Sequence, residues 1–116
     1  MAPASAGVST RKAFRACYGR EADVVRAAPG RVNLIGEHTD YNEGWVLPVA
    51  MDRTIRVAAA KRKDRQVRAT SEQFSGSVEF SLDRIEPDSS LRWGNYVRGV
   101  AHFLEQAGFQ LSGADL

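Results

Sequence analysis

The spacing of apolar residues changes twice along this 116-residue chain, and this order limits the folds that it can adopt. A helical spacing comes first, short or alternating apolar runs of strand type follow, and a second helical spacing comes last. Because the strands are grouped between two helices, the pattern predicts an α+β fold with a largely antiparallel or mixed sheet. The predicted elements are helices at 10–18 and 93–106, strands at 24–28, 45–51, 53–60, 66–70 and 77–82, and an apolar run at 31–36.

Local signals at the ends of these elements predict the domain organisation. Residues 1–8 are predicted to be a flexible lead-in, with Ser9 as the N-cap of the first helix and residues 9–116 as one domain. Pro29-Gly30 is predicted to break the first strand. The charge run at 61–65 is predicted to form a solvated hairpin turn between two strands.

The second helix is predicted to pack an apolar stripe into the core, and the stripe consists of Tyr96, Val97, Val100, Phe103 and Leu104. After this helix, residues 109–116 have the pattern of a loop that enters a new strand. Because a natural domain seldom ends there, we expect sequence beyond Leu116 in a parent protein. An unpaired strand edge, an uncovered apolar face and marginal stability of the isolated chain are then expected.

Composition excludes several classes of protein. The 16 basic and 14 acidic residues leave a net charge of +2, which is too small for a nucleic-acid-binding surface. Apolar residues (43%) suffice for a globular core, and no apolar run approaches the roughly 18 residues of a membrane span.

A single cysteine, Cys17, excludes an internal disulfide framework and is predicted to be an inert, packed thiol. The N-terminus lacks the features of a signal peptide, so we expect a cytoplasmic protein.

The densest group of polar residues lies at 31–42. Glu37 and Asp40 stand on either side of an imidazole, His38, and ionised carboxylates suit the hydrogen-bond donors of sugar hydroxyls. From the pattern alone, a small-molecule site and a hydrogen-bonded structural turn are equally good interpretations. A metal site at His38 and Asp40 lacks a third ligand nearby. A glycosidase pair of Glu37 and Asp40 needs a separation that nothing in the sequence fixes.

A longer stretch around this group resembles a known family. The run Ala28-Pro-Gly-Arg-Val-Asn-Leu-Ile-Gly-Glu-His-Thr-Asp-Tyr-Asn42 is similar, almost letter for letter, to the signature of galactokinases, a branch of the GHMP small-molecule kinases. The resemblance continues at 44–53 and returns at 93–100, Trp-Gly-Asn-Tyr-Val-Arg-Gly-Val. It implies the N-terminal part of the GHMP-kinase fold (ribosomal protein S5 domain 2-like), an incomplete mixed sheet backed by helices. Within the motif, Tyr41 and Asn42 are interpreted as supports of the turn.

The resemblance also implies roles for individual residues. Arg31 would orient the catalytic base and stabilise charge in the transition state. Glu37, His38 and Asp40 would bind the sugar hydroxyls, together with Arg31. Trp93 would pack against the adenine ring, although a tryptophan at the start of an apolar helix is more often a core residue. No metal ligand is assigned, and the catalytic aspartate of the family has no counterpart in this chain.

The family's glycine- and serine-rich phosphate loop, Pro-x-Gly-x-Gly-Leu-Ser-Ser-Ser-Ala, is also absent from the sequence. The resemblance therefore implies a galactokinase segment that stops before this loop. Its parent, expected to be monomeric, would transfer the γ-phosphoryl group of ATP, with Mg²⁺, to the anomeric hydroxyl of α-D-galactose, while this chain alone would be inactive. Galactose and ATP are then the expected partners, with no nucleic acid and no membrane. Alternatives are a non-catalytic galactose sensor of the same fold, a truncated remnant without activity, or a related sugar as the substrate.

Overall fold

The structure, a computed structural model, describes residues 4–116, except that the side chains of residues 4–6 and of Asp40 lie outside the described part. The elements are α1 (Ala4–Tyr18), β1 (Val24–Ile35), a short 3-10 helix (Asp40–Asn42), β2 (Leu47–Lys61), β3 (Gln66–Thr70), β4 (Ser77–Ser81), α2 (Gly94–Gln106) and β5 (Ala114–Asp115). The five strands form one sheet in the order β1-β2-β5-β3-β4. β5 is parallel to β3, and the other pairs are antiparallel. The predicted α+β class with a mixed sheet is confirmed.

Helix α1 is longer than predicted, because it begins at Ala4 rather than after Ser9. Residues 4–8 therefore belong to the helix and not to a lead-in, whereas residues 1–3 lie outside the described residues. The physical reason is that this stretch contains alanines and no proline, so nothing in it stops a helix. At the other end, Gly19 has φ +68° and its N–H donates to the Arg15 carbonyl at 2.9 Å, which is the left-handed helix end that glycine favours. Cys17, predicted to be packed, is exposed.

Strand β1 does not break at Pro29-Gly30, contrary to the prediction. Pro29 pairs with Thr54 and Arg31 pairs with Ala50. The register therefore shifts at Gly30, because β2 has more residues between these two pairs than β1 has. Such a bulge is one of the few places where a sheet accepts proline, which has no N–H to donate. β1 and β2 therefore form one long antiparallel ribbon, and the two strands predicted at 45–51 and 53–60 are a single strand.

The prediction of a hairpin turn at 61–65 is also wrong. A hairpin would pair β2 directly with β3, but β5 lies between these two strands. The carboxylate of Asp115, only 1% exposed as a residue, accepts hydrogen bonds from three arginines: Arg20 at 2.9 Å, Arg62 at 3.0 Å and Arg68 at 2.8 Å. Burial raises the pKa of Asp115, but the hydrogen bonds from Arg68 and Arg62 outweigh it, so the net pKa lies below the ordinary value. The charge run is therefore part of an ion-pair cluster that holds β5 in the sheet.

The packing of α2 corrects a further prediction. One core cluster consists of Val67, Ala69, Val78, Phe80, Leu82 and Ala101. The face of α2 turned toward it carries Gly94, Arg98 and Ala101, and a Cβ on Gly94 would collide with Val78. Most of the predicted stripe is exposed instead, with only Val97 partly buried among its members. The helix approaches the sheet closely at Gly94, where no side chain larger than hydrogen fits, and the large side chains of the apolar stripe lie on the other side of the helix.

A second core cluster, around Phe14, joins α1 to the near end of the ribbon, and it includes Ala22, Ala58 and Ala60. None of the described helices is long and apolar enough to cross a membrane.

Candidate functional site

The polar group at 31–42 lies at the far end of the ribbon, where β1 passes into β2. We call residues 36–46, which connect the two strands, the signature loop. Gly36 begins it with φ +91°, and a Cβ there would lie 2.6 Å from the Trp45 carbonyl oxygen and 2.9 Å from Thr39 Oγ1. Only glycine fits this position, because both the backbone conformation and the close contact exclude a side chain.

Thr39 holds the signature loop closed. Its Oγ1 lies 2.8 Å from the Trp45 carbonyl oxygen and 3.1 Å from that of Gly36. Its own carbonyl accepts hydrogen bonds from the N–H groups of Gly44 at 2.7 Å and Asn42 at 3.1 Å. Sequence reasoning missed Thr39, although a threonine in a glycine-bracketed turn is a known signal for side-chain bonds to the local backbone.

Tyr41 and Asn42 contribute differently to the turn. Asn42 donates from Nδ2 to the carbonyl of His38 at 3.0 Å, as expected for a supporting residue. The Tyr41 hydroxyl instead lies 2.8 Å from His38 Nδ1, with the two rings edge to face. Tyr41 therefore fixes the orientation of the imidazole, a role that the sequence did not indicate.

Glu37 and His38, two of the predicted sugar ligands, are exposed on the signature loop. The Glu37 carboxylate has no hydrogen bond or ion pair with any side chain that the structure describes. Because His38 Nδ1 is engaged by Tyr41, its Nε2 is the ring nitrogen left for a ligand. Asp40 lies in the short helix of the same loop, and its side chain is outside the described part.

Arg31 precedes the signature loop on β1, opposite Ala50. It is exposed, and its guanidinium forms no hydrogen bond or ion pair with the described residues. Alternation along the strand places it on the same face as Asn33, toward the end of the ribbon that carries Glu37 and His38. The structure thus brings a free cation to the same end of the ribbon as an exposed carboxylate and an oriented imidazole.

Comparisons with known proteins identify this part of the chain. A family model described as the galactokinase galactose-binding signature matches residues 12–61. Residues 12–61 are thus similar to the galactose-binding segment of galactokinases. The matched range covers the ribbon and the signature loop, and so includes Arg31, Glu37, His38 and Asp40 but not Trp93.

Individual galactokinases extend the match to most of the chain. The galactokinase of Roseiflexus sp. is 52% identical over 106 residues, which are 91% of this chain and 27% of that protein. The galactokinase of Chloroflexus aggregans is 50% identical over 104 residues, again 27% of its length. The chain therefore spans about a quarter of the length of these relatives. The crystal structure of Lactococcus lactis galactokinase complexed with galactose is similar with a TM-score of 0.78 and 36% identity, over 93% of this chain and 29% of that one.

Trp93, the residue outside the signature match, belongs to the core around β3 and β4. It packs against that cluster and stacks on Phe74, with ring centroids 6.2 Å apart and an interplanar angle of 16°. Its Nε1 is buried without a hydrogen-bond partner in the described part of the chain. The indole thus acts as a packing residue here, and its adenine-packing role stays a prediction.

The residues that the structure describes do not form a magnesium site. Among the described residues, no three His, Cys, Asp or Glu side chains gather as a metal-binding group. The sequence also contains no glycine- and serine-rich run that could hold the phosphates of a nucleotide. The described residues therefore present polar side chains at the signature loop but no cluster of metal ligands.

Proposed function

We propose that this chain supplies the galactose-recognition surface of a galactokinase-type enzyme, with Arg31, Glu37, His38 and Asp40 as the residues that contact the sugar. The observation that carries the proposal is the signature loop, which closes on its own backbone through Thr39. These bonds leave the Glu37 carboxylate and His38 Nε2 without a partner among the described residues, so both can meet a ligand.

The chemistry of these side chains suits a polyhydroxylated ligand. An ionised Glu37 only accepts hydrogen bonds, and sugar hydroxyls donate them. His38 offers Nε2 in an orientation that Tyr41 fixes. A sugar with one inverted hydroxyl would leave an acceptor unpaired, at a cost of about 1–3 kcal/mol.

In the complete reaction that we propose for the parent enzyme, the anomeric oxygen of galactose forms a bond to the γ-phosphorus of ATP while the bond between that phosphorus and ADP breaks, and the hydroxyl proton passes to a catalytic base that this chain does not contain. Arg31 would stabilise the charge on the transferred group. The described residues do not fit Mg²⁺. This chain by itself is expected to transfer no phosphate, since it contains neither a phosphate loop nor the family's catalytic aspartate. A cytoplasmic location remains part of the same proposal.

The test is a titration of the ¹⁵N-labelled chain with galactose and with its C4 epimer, glucose, followed by two-dimensional NMR. We expect shifts confined to residues 31–45 and tighter binding of galactose. Glu37→Gln removes the charged acceptor and should weaken galactose binding about tenfold. Glu79→Gln removes another exposed carboxylate, on β4, and is the matched control that should bind like the unmodified chain. Equal shifts with both sugars, or an unchanged affinity in Glu37→Gln, would contradict the proposal.

A further inference from the structure

A group of cations lies where β2, β3 and β5 meet, at the end of the ribbon opposite the signature loop. Five basic side chains line an open groove there: Arg20, Lys61, Arg62, Lys63 and Arg68. We call this surface the basic groove. Lys61 ends β2 and Leu47 begins it, so about 45 Å of extended strand separates the basic groove from the signature loop. A small ligand in the basic groove would therefore not touch the candidate sugar site.

Carboxylates neutralise only part of the charge in the basic groove. Asp115 lies beneath the arginines, with its side chain 2% exposed. Asp64 is held by Arg62, whose Nε and Nη2 donate to its two oxygens at 2.8 and 2.6 Å. Asp23 accepts a hydrogen bond from the backbone N–H of Lys61 at 2.7 Å. Five positive charges against these three negative charges leave an excess of two, which is as large as the net charge of the whole chain.

The cations also keep hydrogen-bond donors that no described residue uses. Arg68 donates to Asp115 through Nε, and its two terminal nitrogens have no partner in the described part of the chain. Arg20 donates through Nη2 alone, to Asp115 and to two backbone carbonyls. The side chains of these two arginines are 38% and 42% exposed, so the remaining donors are accessible. The ammonium groups of Lys61 and Lys63 likewise have no partner among residues 4–116.

Asp115 holds the arginines in place before any ligand arrives. Its hydrogen bond raises the pKa of Arg68, whereas the positive charge of Arg62 lowers it, so the two guanidinium groups repel each other. The Arg68 guanidinium also lies over the Tyr18 ring, 5.2 Å from its centroid. An anion bound here would relieve the repulsion, and the arginines would lose little further freedom on binding it.

The donors and the charge excess together indicate the class of ligand. Guanidinium and ammonium groups with spare N–H donors form charge-assisted hydrogen bonds with phosphoryl oxygens. A phosphoryl group carries a charge of about −1.5 to −2 near neutral pH, which matches the excess of two positive charges. We propose that the basic groove binds a phosphoryl dianion, either as inorganic phosphate or as a small phosphate monoester. This proposal does not depend on galactose binding.

The test is a titration of the ¹⁵N-labelled chain with inorganic phosphate and, separately, with methyl phosphate, the simplest monoester. Sodium chloride keeps the ionic strength constant, because general screening would otherwise move the same resonances. We expect saturable shifts of the amides at 61–64 and of the Nε–H groups of Arg20 and Arg68, with no shifts at 36–46. Tighter binding of one probe would identify the free ion or the monoester as the preferred ligand.

Variants of the two lysines test whether charge in the basic groove causes the binding. Lys61→Gln and Lys63→Gln remove side-chain charges that make no contact with the described residues, so the fold should be kept. Each should weaken phosphate binding about threefold, and the double variant about tenfold. Lys12→Gln, an exposed lysine of α1 outside the basic groove, is the matched control and should bind phosphate like the unmodified chain.

Several results would overturn the proposal. These are shifts that grow without saturation for both probes, shifts that chloride alone reproduces, an unchanged affinity in the double variant, and an equal loss of affinity in Lys12→Gln and Lys63→Gln. Because none of these measurements uses a sugar, a failure of galactose binding would leave the result for the basic groove unaffected.

Discussion

Gly36 is the residue on which the shape of the candidate site depends most directly. An alanine there must adopt φ near +91° and place its Cβ 2.6 Å from the Trp45 carbonyl oxygen. We expect Gly36→Ala to lower the free energy of unfolding by about 1–3 kcal/mol and to abolish galactose binding, because the loop must open to relieve the contact. Urea unfolding, together with the NMR titration, measures both effects.

Gly99→Ala is the matched control for this prediction. Gly99 lies inside α2, and a Cβ there would meet nothing within 4 Å. Alanine in a helix interior stabilises by about 0.5–1 kcal/mol over glycine, so this variant should unfold at slightly higher urea. If Gly36→Ala unfolds at the same urea concentration as the unmodified chain, the loop is not held as described.

The sequence located the candidate site better than it explained its construction. The resemblance at 28–42 identified the segment, and the comparisons place the family's galactose-binding signature across it. The sequence did not reveal that Thr39 closes the signature loop or that Tyr41 orients His38, because those contacts depend on the turn geometry after Gly36. The roles of Arg31, Glu37, His38 and Asp40 stay predictions until the titration is made.

Among the elements, β5 contains one buried carboxylate that ties it to three arginines. It is two residues long, and Asp115 accepts hydrogen bonds from Arg20, Arg62 and Arg68. We expect Asp115→Asn to lower the free energy of unfolding by about 2–4 kcal/mol, because three cations then surround a neutral amide. The arginines are partly exposed, so the loss of stability should be smaller than the loss on breaking a fully buried ion pair.

The same carboxylate gives the stability a pH dependence of known sign. The pKa of Asp115 is below its ordinary value in the folded chain, so its contribution is fully present above the unfolded pKa, near 3.8, and is lost as the pH falls through the folded pKa. The hydrogen bond from Arg62 also lowers the pKa of Asp64, to about 2, which places its titration in the same acidic range. Urea unfolding between pH 5 and about pH 2 should therefore show a steeper loss of stability for the unmodified chain than for Asp115→Asn. The exposed Glu72→Gln should follow the unmodified chain, and parallel curves for all three would refute this role of Asp115.

These elements show why local patterns predicted segments but not their arrangement. β3 was predicted with its observed bounds at 66–70, since its alternation is local. The insertion of β5 between β2 and β3 was not predictable, because it depends on contacts between distant parts of the chain, such as the ion pair between Arg20 and Asp115, 95 residues apart in the sequence. The apolar stripe of α2 was identified correctly as a stripe, but periodicity alone does not indicate whether such a face meets this sheet or another surface.

At the scale of the whole molecule, the chain is more extended than its length requires. The radius of gyration is 16.1 Å, whereas about 13 Å is typical of a compact domain of this size. The ribbon of β1 and β2 contributes to this shape, because beyond the cluster around Phe14 most of its side chains are exposed on both faces. Val32 and Val49, directly opposite each other, are both exposed in the far half.

This shape predicts a gradient of stability along the ribbon. An isolated two-stranded ribbon is at most marginally stable in water, and only the near half, with Val25 opposite Ala58, packs against α1. We expect amide hydrogen exchange to be at least about 100-fold slower at Val25 and Ala58 than at Val32 and Val49, which open without global unfolding. The protected amides of β3 and β4 serve as the internal reference for global opening. Uniform protection along the ribbon, or a cooperative melt of the monomeric chain well above 60 °C, would show that the far half is stabilised by contacts other than those described here.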